Sequence, residues 1–489
     1  MSDQAGLDAQ LAQAISLHQA GDLAGAAALY QELLNAYTTH PDLWNLLGVV
    51  AHQQNDNELA INLISQAIVL QGDIAEYHNN LGLAQRGRGD AGEAEAAWRN
   101  ALLLDPSHVK AAANLASLLR WDGRFDEALA VAEQGAAAGP QDVDALNNLG
   151  NALKDCGRMD EAIEAYRQVI ALAPDFALAH WNLSLALLSV GDYEDGFRQM
   201  TWRWQWTGFP GTRPEFDQPL WDGVFNPVET VLMYGEQGLG DTIFALRFAA
   251  IARMRVAGVV VQLPDGLVPL TNEAVADEVI SESAPPPAFD SHAALMDLPT
   301  LLDITPENMG EAERYLMADD AAVEAWRTRL EEAGGDTLKV GLNWRGNMAN
   351  PVEKFRHLPL DAMARLAEAD GINWVSLQKG EPTPEGEVLP AGLDIVETGP
   401  APLAETAALI EALDLVITTD TAVAHLAGAL GKPVWVLLHH APDWKWGLAS
   451  DATPWYPTAR LFRQANAGDW DGVIRSVLAA LPSVKQAAK

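Results

Sequence analysis

Small and apolar residues return at intervals of 34 through the first two hundred residues. Gly89, Gly123, Gly157 and Gly191 are one period apart, as are Gly48 and Gly82. A period of that length predicts stacked helical pairs, each burying its apolar face against its neighbours. With Leu7 as position one, position eight reads Ala14, Gly48, Gly82, Ala116, Gly150 and Ser184, and position twenty reads Ala26, Ala60, Ala94, Ala128 and Ala162. Both columns are small because two helices approach closely there. Position seven holds Leu47, Leu81, Leu115, Leu149 and Leu183, while Tyr30, Trp98 and Tyr166 at position twenty-four fill the space between helices. Pro106, Pro140 and Pro174 close three units. Five units are clear and a sixth is degenerate, so the helical domain is expected over residues 1–204.

Position six carries a different signal: Leu46, then Asn80, Asn114, Asn148 and Asn182. Positions four, seven, eight and eleven turn inward, so position six is expected to face the concave groove. Amides repeated there can donate to and accept from the backbone of an extended peptide without reading its side chains. The alternative is that each asparagine supports its own repeat. Asp8, Asp42, Glu76 and Asp144 at position two either favour basic partners or form a solvated acidic face.

After Gly191 the pattern changes. Trp202-Arg203-Trp204-Gln205-Trp206, with Pro210, Pro214, Pro219 and Trp221, is too aromatic for a free linker, and residues 205–228 read as a connector that glues two domains. Short apolar runs then alternate with amphipathic stretches. Strands are expected at 230–234, 259–263, 339–344, 373–377, 413–418 and 434–438, and helices at 241–256, 359–369 and 402–412. That alternation predicts parallel sheets flanked by helices, with ligands at the carboxyl ends of the strands. The charged segment 331–336 reads as a hinge between a first lobe at 229–334 and a second at 335–489.

Charge narrows the function. Lysine and arginine total 31 against 67 aspartates and glutamates, a formal charge of −36. A polyanion is a poor general binder of nucleic acid or acidic membranes. The single cysteine, Cys156, cannot form an internal disulfide, and no Cys/His cluster has structural-zinc spacing. The amino terminus lacks a signal-peptide pattern and no apolar run reaches membrane-spanning length, so a cytoplasmic location without a membrane span is expected.

Three motifs carry candidate chemistry. Gly235-Glu-Gln-Gly238-Leu-Gly240-Asp241 lies between a strand and a helix, where glycines let a ligand approach the backbone and a helix start offers free N–H groups. Its spacing is neither a dinucleotide fingerprint nor a phosphate-binding P-loop. Asp241 at that point suits a general base taking a hydroxyl proton, or else only caps its helix. The second motif, Thr418-Thr419-Asp420-Thr421 followed by His425, places hydroxyls and a helix start where a diphosphate can be cradled. The third runs from Asn343-Trp344-Arg345-Gly346-Asn347 to Lys354-Phe355-Arg356-His357. Lys354 and Arg356 are either surface charges or groups that neutralise a leaving phosphate, and surface charge is the plain reading of Arg345. Asp142-Val-Asp144 and Asp469-Trp-Asp471 sit at a repeat boundary and near a terminal helix, poor places for a metal–nucleotide site, so no metal and no cofactor beyond a nucleotide-sugar co-substrate is expected.

The first two hundred residues resemble the tetratricopeptide repeat. Residues 229–465 resemble the two-lobed GT-B glycosyltransferases, in the branch joining such repeats to a heptosyltransferase-like module. The resemblance is carried by residues 235–241, 340–347, 374–380, 414–435, 441–446 and 450–464, the last including Pro454-Trp-Tyr-Pro457. It implies two Rossmann-like lobes, Asp241 as catalytic base, and Asp420, Thr421 and His425 as the diphosphate segment, with Lys354 assisting the leaving group. Gly238, Gly240, Asn343, Gly346, Gln378 and Thr419 complete the expected nucleotide-sugar site, with Arg356 beside Lys354. The repeats with their asparagine column are similar to protein O-linked N-acetylglucosamine transferases, and the architecture is similar to that of soluble bacterial flagellin glycosyltransferases.

The expectation is a cytoplasmic enzyme that moves a sugar from a nucleotide onto Ser or Thr of a protein, flagellin being one candidate, held by Asn80, Asn114, Asn148 and Asn182. Two alternatives remain at this point: a scaffold with a degenerate module, and an enzyme acting on a glycan or lipid.

Overall fold

The structure, a computed structural model, describes residues 2–309, 314–335, 337–379, 388–399 and 401–487. Asp336 of the expected hinge and Gly380 of the 374–380 stretch lie outside the described residues. The chain divides into two compact units between Asp175 and Phe176.

The first unit is five helical pairs: α1 (Ser2–Gln19) with α2 (Leu23–Ala36), α3 (Pro41–Gln53) with α4 (Asn57–Leu70), α5 (Ala75–Arg88) with α6 (Ala91–Leu104), α7 (Val109–Trp121) with α8 (Phe125–Ala138), and α9 (Val143–Asp155) with α10 (Met159–Leu172). The periodic glycines end first helices in the left-handed region, with φ of +95° at Gly89, +79° at Gly123 and +75° at Gly157. Position eight meets position twenty-four: a Cβ on Gly82 would collide with the Trp98 indole nitrogen, and one on Gly150 would lie 2.5 Å from the Tyr166 ring.

The asparagine column is hydrogen-bonded between repeats. Asn80 is buried and donates from Nδ2 to Oδ1 of Asn45 at 3.0 Å, and Asn114 donates to Asn79 at 3.0 Å. These amides staple successive repeats through a second column at position five, Asn45, Asn79 and Asn147, which the spacing of small residues does not single out. Asn148 is half-buried. Position-two acids are likewise engaged, Asp42 accepting from Tyr77 and Glu76 pairing with His108 at 3.0 Å.

The second unit begins with α11 (Ala177–Val190), which carries the buried Asn182, and α12 (Tyr193–Met200). The degenerate sixth repeat therefore groups with the α/β region, about thirty residues before the expected boundary at 204. Leu188, Phe197 and Met200 share one continuous core with Val231, Met233, Phe244, Val416 and Val436.

Two all-parallel sheets follow. The first has four strands, β1 (Asn226–Tyr234), β2 (Val256–Leu263), β3 (Glu278–Ser281) and β4 (Ser291–Ala294), in the order β3-β2-β1-β4. Helix α13 (Leu239–Ala252) joins β1 to β2, and the short α14 (Leu298–Leu301) follows β4. The second has six, β5 (Leu338–Asn343), β6 (Ile372–Ser376), β7 (Ile395–Val396), β8 (Leu415–Thr419), β9 (Val434–Leu438) and β10 (Ala459–Arg463), in the order β10-β9-β8-β5-β6-β7. Its helices are α15 (Asp320–Gly334), one-turn α16 (Glu353–Arg356) and α17 (Leu360–Met363), α18 (Leu403–Ala412), α19 (Ala422–Ala429) and α20 (Trp470–Ala487). Alternation along the strands splits the core: Val416, Val434 and Val436 face the continuous core, while Leu415, Ile417, Trp435 and Leu437 face Val473, Ile474 and Val477 of α20.

Residues 331–334, expected in a hinge, close α15 instead. That helix packs on α18, where the Trp326 indole N–H donates to Glu405 at 2.7 Å, so it belongs with the second sheet rather than the first lobe.

Candidate active site

Each sheet reverses its strand order once, between β1 and β4 in the first and between β5 and β8 in the second. Open parallel sheets bind ligands in the crevice beyond the strand ends at such a reversal. The sequence candidates cluster there: residues 235–241 leave β1, residues 343–346 leave β5, and Thr419, Asp420 and Thr421 leave β8.

Gly238 caps α13 without a side-chain bond, and Asp241 lies in the first turn of that helix. Asp241 is therefore in the helix rather than capping it. At Gly240 the starts of α13 and α19 meet: a Cβ there would lie 2.8 Å from the His425 ring and 3.5 Å from the Ala422 Cα. The carboxylate of the first half thereby reaches the second half directly. Lys445, on a short turn after β9, places Nζ 2.8 Å from Asp241 and 2.9 Å from Asp443. Its side chain is 4% exposed, while Asp241 keeps 29% exposure. Burial alone would lower the Lys445 pKa, but Asp241 and Asp443 overcome it and hold the ammonium well above its ordinary value. Burial raises the Asp443 carboxyl, and Lys445 and Arg356 outweigh that and keep it below the usual carboxylate range.

On the second sheet Arg356 lies 3.6 Å from Asp420. Asp420 beside it raises its pKa; burial opposes this, and Asp443, Glu353 and Asp241 add to the rise. Three buried polar atoms here have no hydrogen-bond partner: Arg356 Nε, Thr419 Oγ1 and Asp420 Oδ2. Such atoms are costly unless a ligand or water completes them. All three lie at the carboxyl-end side of the second sheet, on or beside the loops that leave β5 and β8.

Other candidates support this layer from behind. Asn343 accepts from Thr418 at 3.1 Å and Thr421 at 2.9 Å, and donates to Gln378 at 3.1 Å. Gln378 accepts from the backbone N–H of Trp344 and Arg345 and donates to two carbonyls. Both amides are thus spent on fixing the loop after β5, not turned to a ligand. Gly346 N–H donates to the buried Glu353 at 2.5 Å, and burial raises the Glu353 carboxyl. Thr421 caps α19 and bonds Asn343, so its hydroxyl positions the helix start. Arg345 is buried, contrary to its expected place on the surface. Lys354 is exposed, with its ammonium 4.9 Å above the Phe355 ring. The lysine that contacts Asp241 is Lys445.

His425 lies in the interior of the second unit. It is 5% exposed, bonded through Nδ1 to the Tyr456 hydroxyl at 3.0 Å and stacked on Trp446. Burial, then Lys445, lowers its pKa to about 4. It is a neutral hydrogen-bonding group at physiological pH. An unfolded histidine titrates near pH 6.5, so the unfolded chain binds the extra proton between about pH 4 and 6.5, and stability present above pH 6.5 is lost as pH falls through that window. Between pH 7 and 4.5 wild type is expected to lose on the order of 2–3 kcal/mol more than His425→Gln, measured by urea melts at both pH values.

Among the described residues no group of three or more His, Cys, Asp or Glu side chains is placed to hold a metal ion, and no helix is long and apolar enough to cross a membrane.

Helical repeats followed by two parallel α/β sheets define a repeat protein joined to a parallel α/β module. Comparison with known families gives that class its terms. Residues 7–76 and 79–143 match the tetratricopeptide repeat, residues 150–191 match a second TPR repeat model, and residues 387–467 match glycosyltransferase family 9, the heptosyltransferases. The chain thus combines TPR repeats with a heptosyltransferase-type glycosyltransferase segment. Protein FlbA of Caulobacter vibrioides is 32% identical over 203 residues, 40% of this chain and 33% of that protein. The chain therefore spans about a third of the length of the curated relative it matches. Solved structures similar to it include a thermophilic TPR protein of Thermus thermophilus, at 18% identity over 37% of this chain and 99% of that one with a TM-score of 0.33. The pilus biogenesis factor PilW aligns at 21% identity over 42% of this chain and 95% of that one with a TM-score of 0.37. MamA of Desulfovibrio magneticus aligns at 22% identity over 33% and 91%, with a TM-score of 0.31.

Proposed function

We propose that the chain is a cytoplasmic GT-B glycosyltransferase that moves a sugar from a nucleoside diphosphate to Ser or Thr of a protein recruited by the repeats, with flagellin as one acceptor. The observation that carries the reading is the meeting of Asp241 with the second sheet at Lys445 and Gly240, beside the unpartnered donors of Arg356 and Thr419. Asp241 takes the proton of the attacking hydroxyl. Lys445 and Asp443 hold that carboxylate in place, and Arg356 with the amides at the start of α19 neutralises the departing diphosphate. The chemistry needs no metal when these cations carry the leaving charge. On the repeats, the amide column spends one N–H on its neighbour at Asn80 and Asn114, and each side chain has further donor and acceptor capacity for an acceptor backbone.

Nucleoside diphosphates titrated calorimetrically, one base at a time, test the donor side. At least one is expected to bind wild type, and Arg356→Ala to weaken it about 10- to 100-fold, the worth of one charge-assisted bond. Unchanged affinity in that variant contradicts the assignment.

A further inference from the structure

The imidazole of His425 is clamped on its faces and contacted at both edges. Trp446 stacks on it with ring centres 5.2 Å apart, and Phe244 meets it edge-on at 6.2 Å. One edge, at Nδ1, lies 3.0 Å from the Tyr456 hydroxyl. The other faces the start of α13, where a Cβ on Gly240 would lie 2.8 Å from Cδ2 and 3.6 Å from Nε2. Behind Tyr456 stands Arg247 of α13, buried and, among the described residues, paired with no carboxylate. Its Nε and Nη1 donate to the carbonyls of Phe244 and Trp455, and its Nη2 donates to the Tyr315 hydroxyl at 2.9 Å. Its guanidinium carbon is 4.4 Å from the centre of the Tyr456 ring.

These bonds decide where the protons sit. A tyrosine hydroxyl has one proton to give, and Tyr315 gives its own to the Ile243 carbonyl at 3.0 Å. Tyr315 therefore has none left for Tyr456, whose hydroxyl is 3.5 Å away. The Tyr456 proton is offered two acceptors: the imidazole nitrogen at 3.0 Å, and a Tyr315 oxygen at 3.5 Å that Arg247 already engages. The nearer one, within ordinary hydrogen-bond distance, takes it. A neutral imidazole has one donor and one acceptor nitrogen, so acceptance at Nδ1 places the ring proton on Nε2.

We propose that Tyr456 is a positioning residue: its phenol, braced by Arg247, fixes neutral His425 with the proton on Nε2 and so turns an N–H donor toward the meeting of α13 and α19, beside Asp241. There the N–H serves an oxygen of the substrate during transfer. This last step rests on the transferase reading, whereas the placement of the proton does not.

The test is two-bond proton–nitrogen correlation NMR near neutral pH on the full chain labelled with ¹⁵N in histidine, with His425→Gln assigning the resonances. Wild type is expected to show a pyridine-type Nδ1 and a pyrrole-type Nε2. Tyr456→Phe is expected to show a mixture of both tautomers, its melting temperature reporting separately on folding. In a transfer assay the same variant is expected to lose about 3- to 10-fold in kcat/KM, the worth of one neutral hydrogen bond. A proton on Nδ1 in wild type, an unchanged tautomer in the folded variant, or an unchanged kcat/KM overturns the proposal. If Tyr456→Phe does not fold, the wild-type spectrum decides alone. Failure of wild type to transfer any sugar counts against the transferase reading and leaves the tautomer to be decided by the spectrum.

Discussion

Asp241→Asn is expected to lower sugar transfer by about 10²- to 10⁴-fold while leaving nucleotide affinity and melting temperature near wild type, because a positioned base contributes that much and its amide isostere cannot take a proton. The substitution is conservative where it matters for folding. Asp241 meets Lys445 through a single oxygen at 2.8 Å, and the amide oxygen of asparagine can accept the same bond. Its side chain is part-exposed, so no buried charge is stranded on its own side. The measurement is kcat in a transfer assay together with calorimetric affinity for the nucleotide. A loss confined to kcat identifies chemistry, and an equal loss of affinity identifies a binding role instead.

Lys445→Met carries the second large effect, and it acts on both fold and rate. The ammonium is nearly enclosed and shared between Asp241 and Asp443. Its removal leaves two carboxylates facing each other without the cation that offsets their desolvation. Breaking a buried pair from one side costs up to several kcal/mol, and the partial exposure of both acids discounts this to about 1–3 kcal/mol here. The rate is expected to fall about 10- to 100-fold, since a base displaced by an ångström loses most of its alignment. Lys445→Arg restores the charge and should recover much of the stability, though the planar guanidinium cannot reproduce the geometry of a point charge and recovers less of the rate. Chemical denaturation and kcat on the same preparations separate the two effects.

The helical half was legible because its signal is local and repeated. A glycine column at 34-residue spacing reports a left-handed residue after each first helix, and the φ values at Gly89, Gly123 and Gly157 are its cause. Fully apolar strands such as β9, Val434–Leu438, were equally plain. Strand β4, Ser291–Ala294, was not: Ser-His-Ala-Ala has no strand composition, and it becomes a strand only because β1 supplies the ladder and the core covers it. The site divides the same way. Asp241 and Asp420 could be read because each lies between a strand and a helix, and Arg356 because it is a cation in a strongly acidic chain. Lys445 could not, since it sits between two tryptophans without periodic context and acquires its role from Asp241, some two hundred residues earlier. What Asn343 and Gln378 do was not legible, because both amides are spent on the loop after β5 and only their folded hydrogen bonds reveal it. The second amide column was hidden for a related reason, because Asn45 and Asn79 become partners of Asn80 and Asn114 only when repeats 35 residues apart stack.

The central claim is that one carboxylate from the first sheet and the cations of the second act on the same bond. Intact-mass spectrometry of the protein that co-purifies with this chain, incubated with one nucleotide sugar at a time, tests it most directly. The account predicts a gain of one sugar mass on Ser or Thr with release of an equal amount of nucleoside diphosphate, and none of either with Asp241→Asn. Wild-type turnover by that variant, or no nucleotide release from any donor, would contradict it.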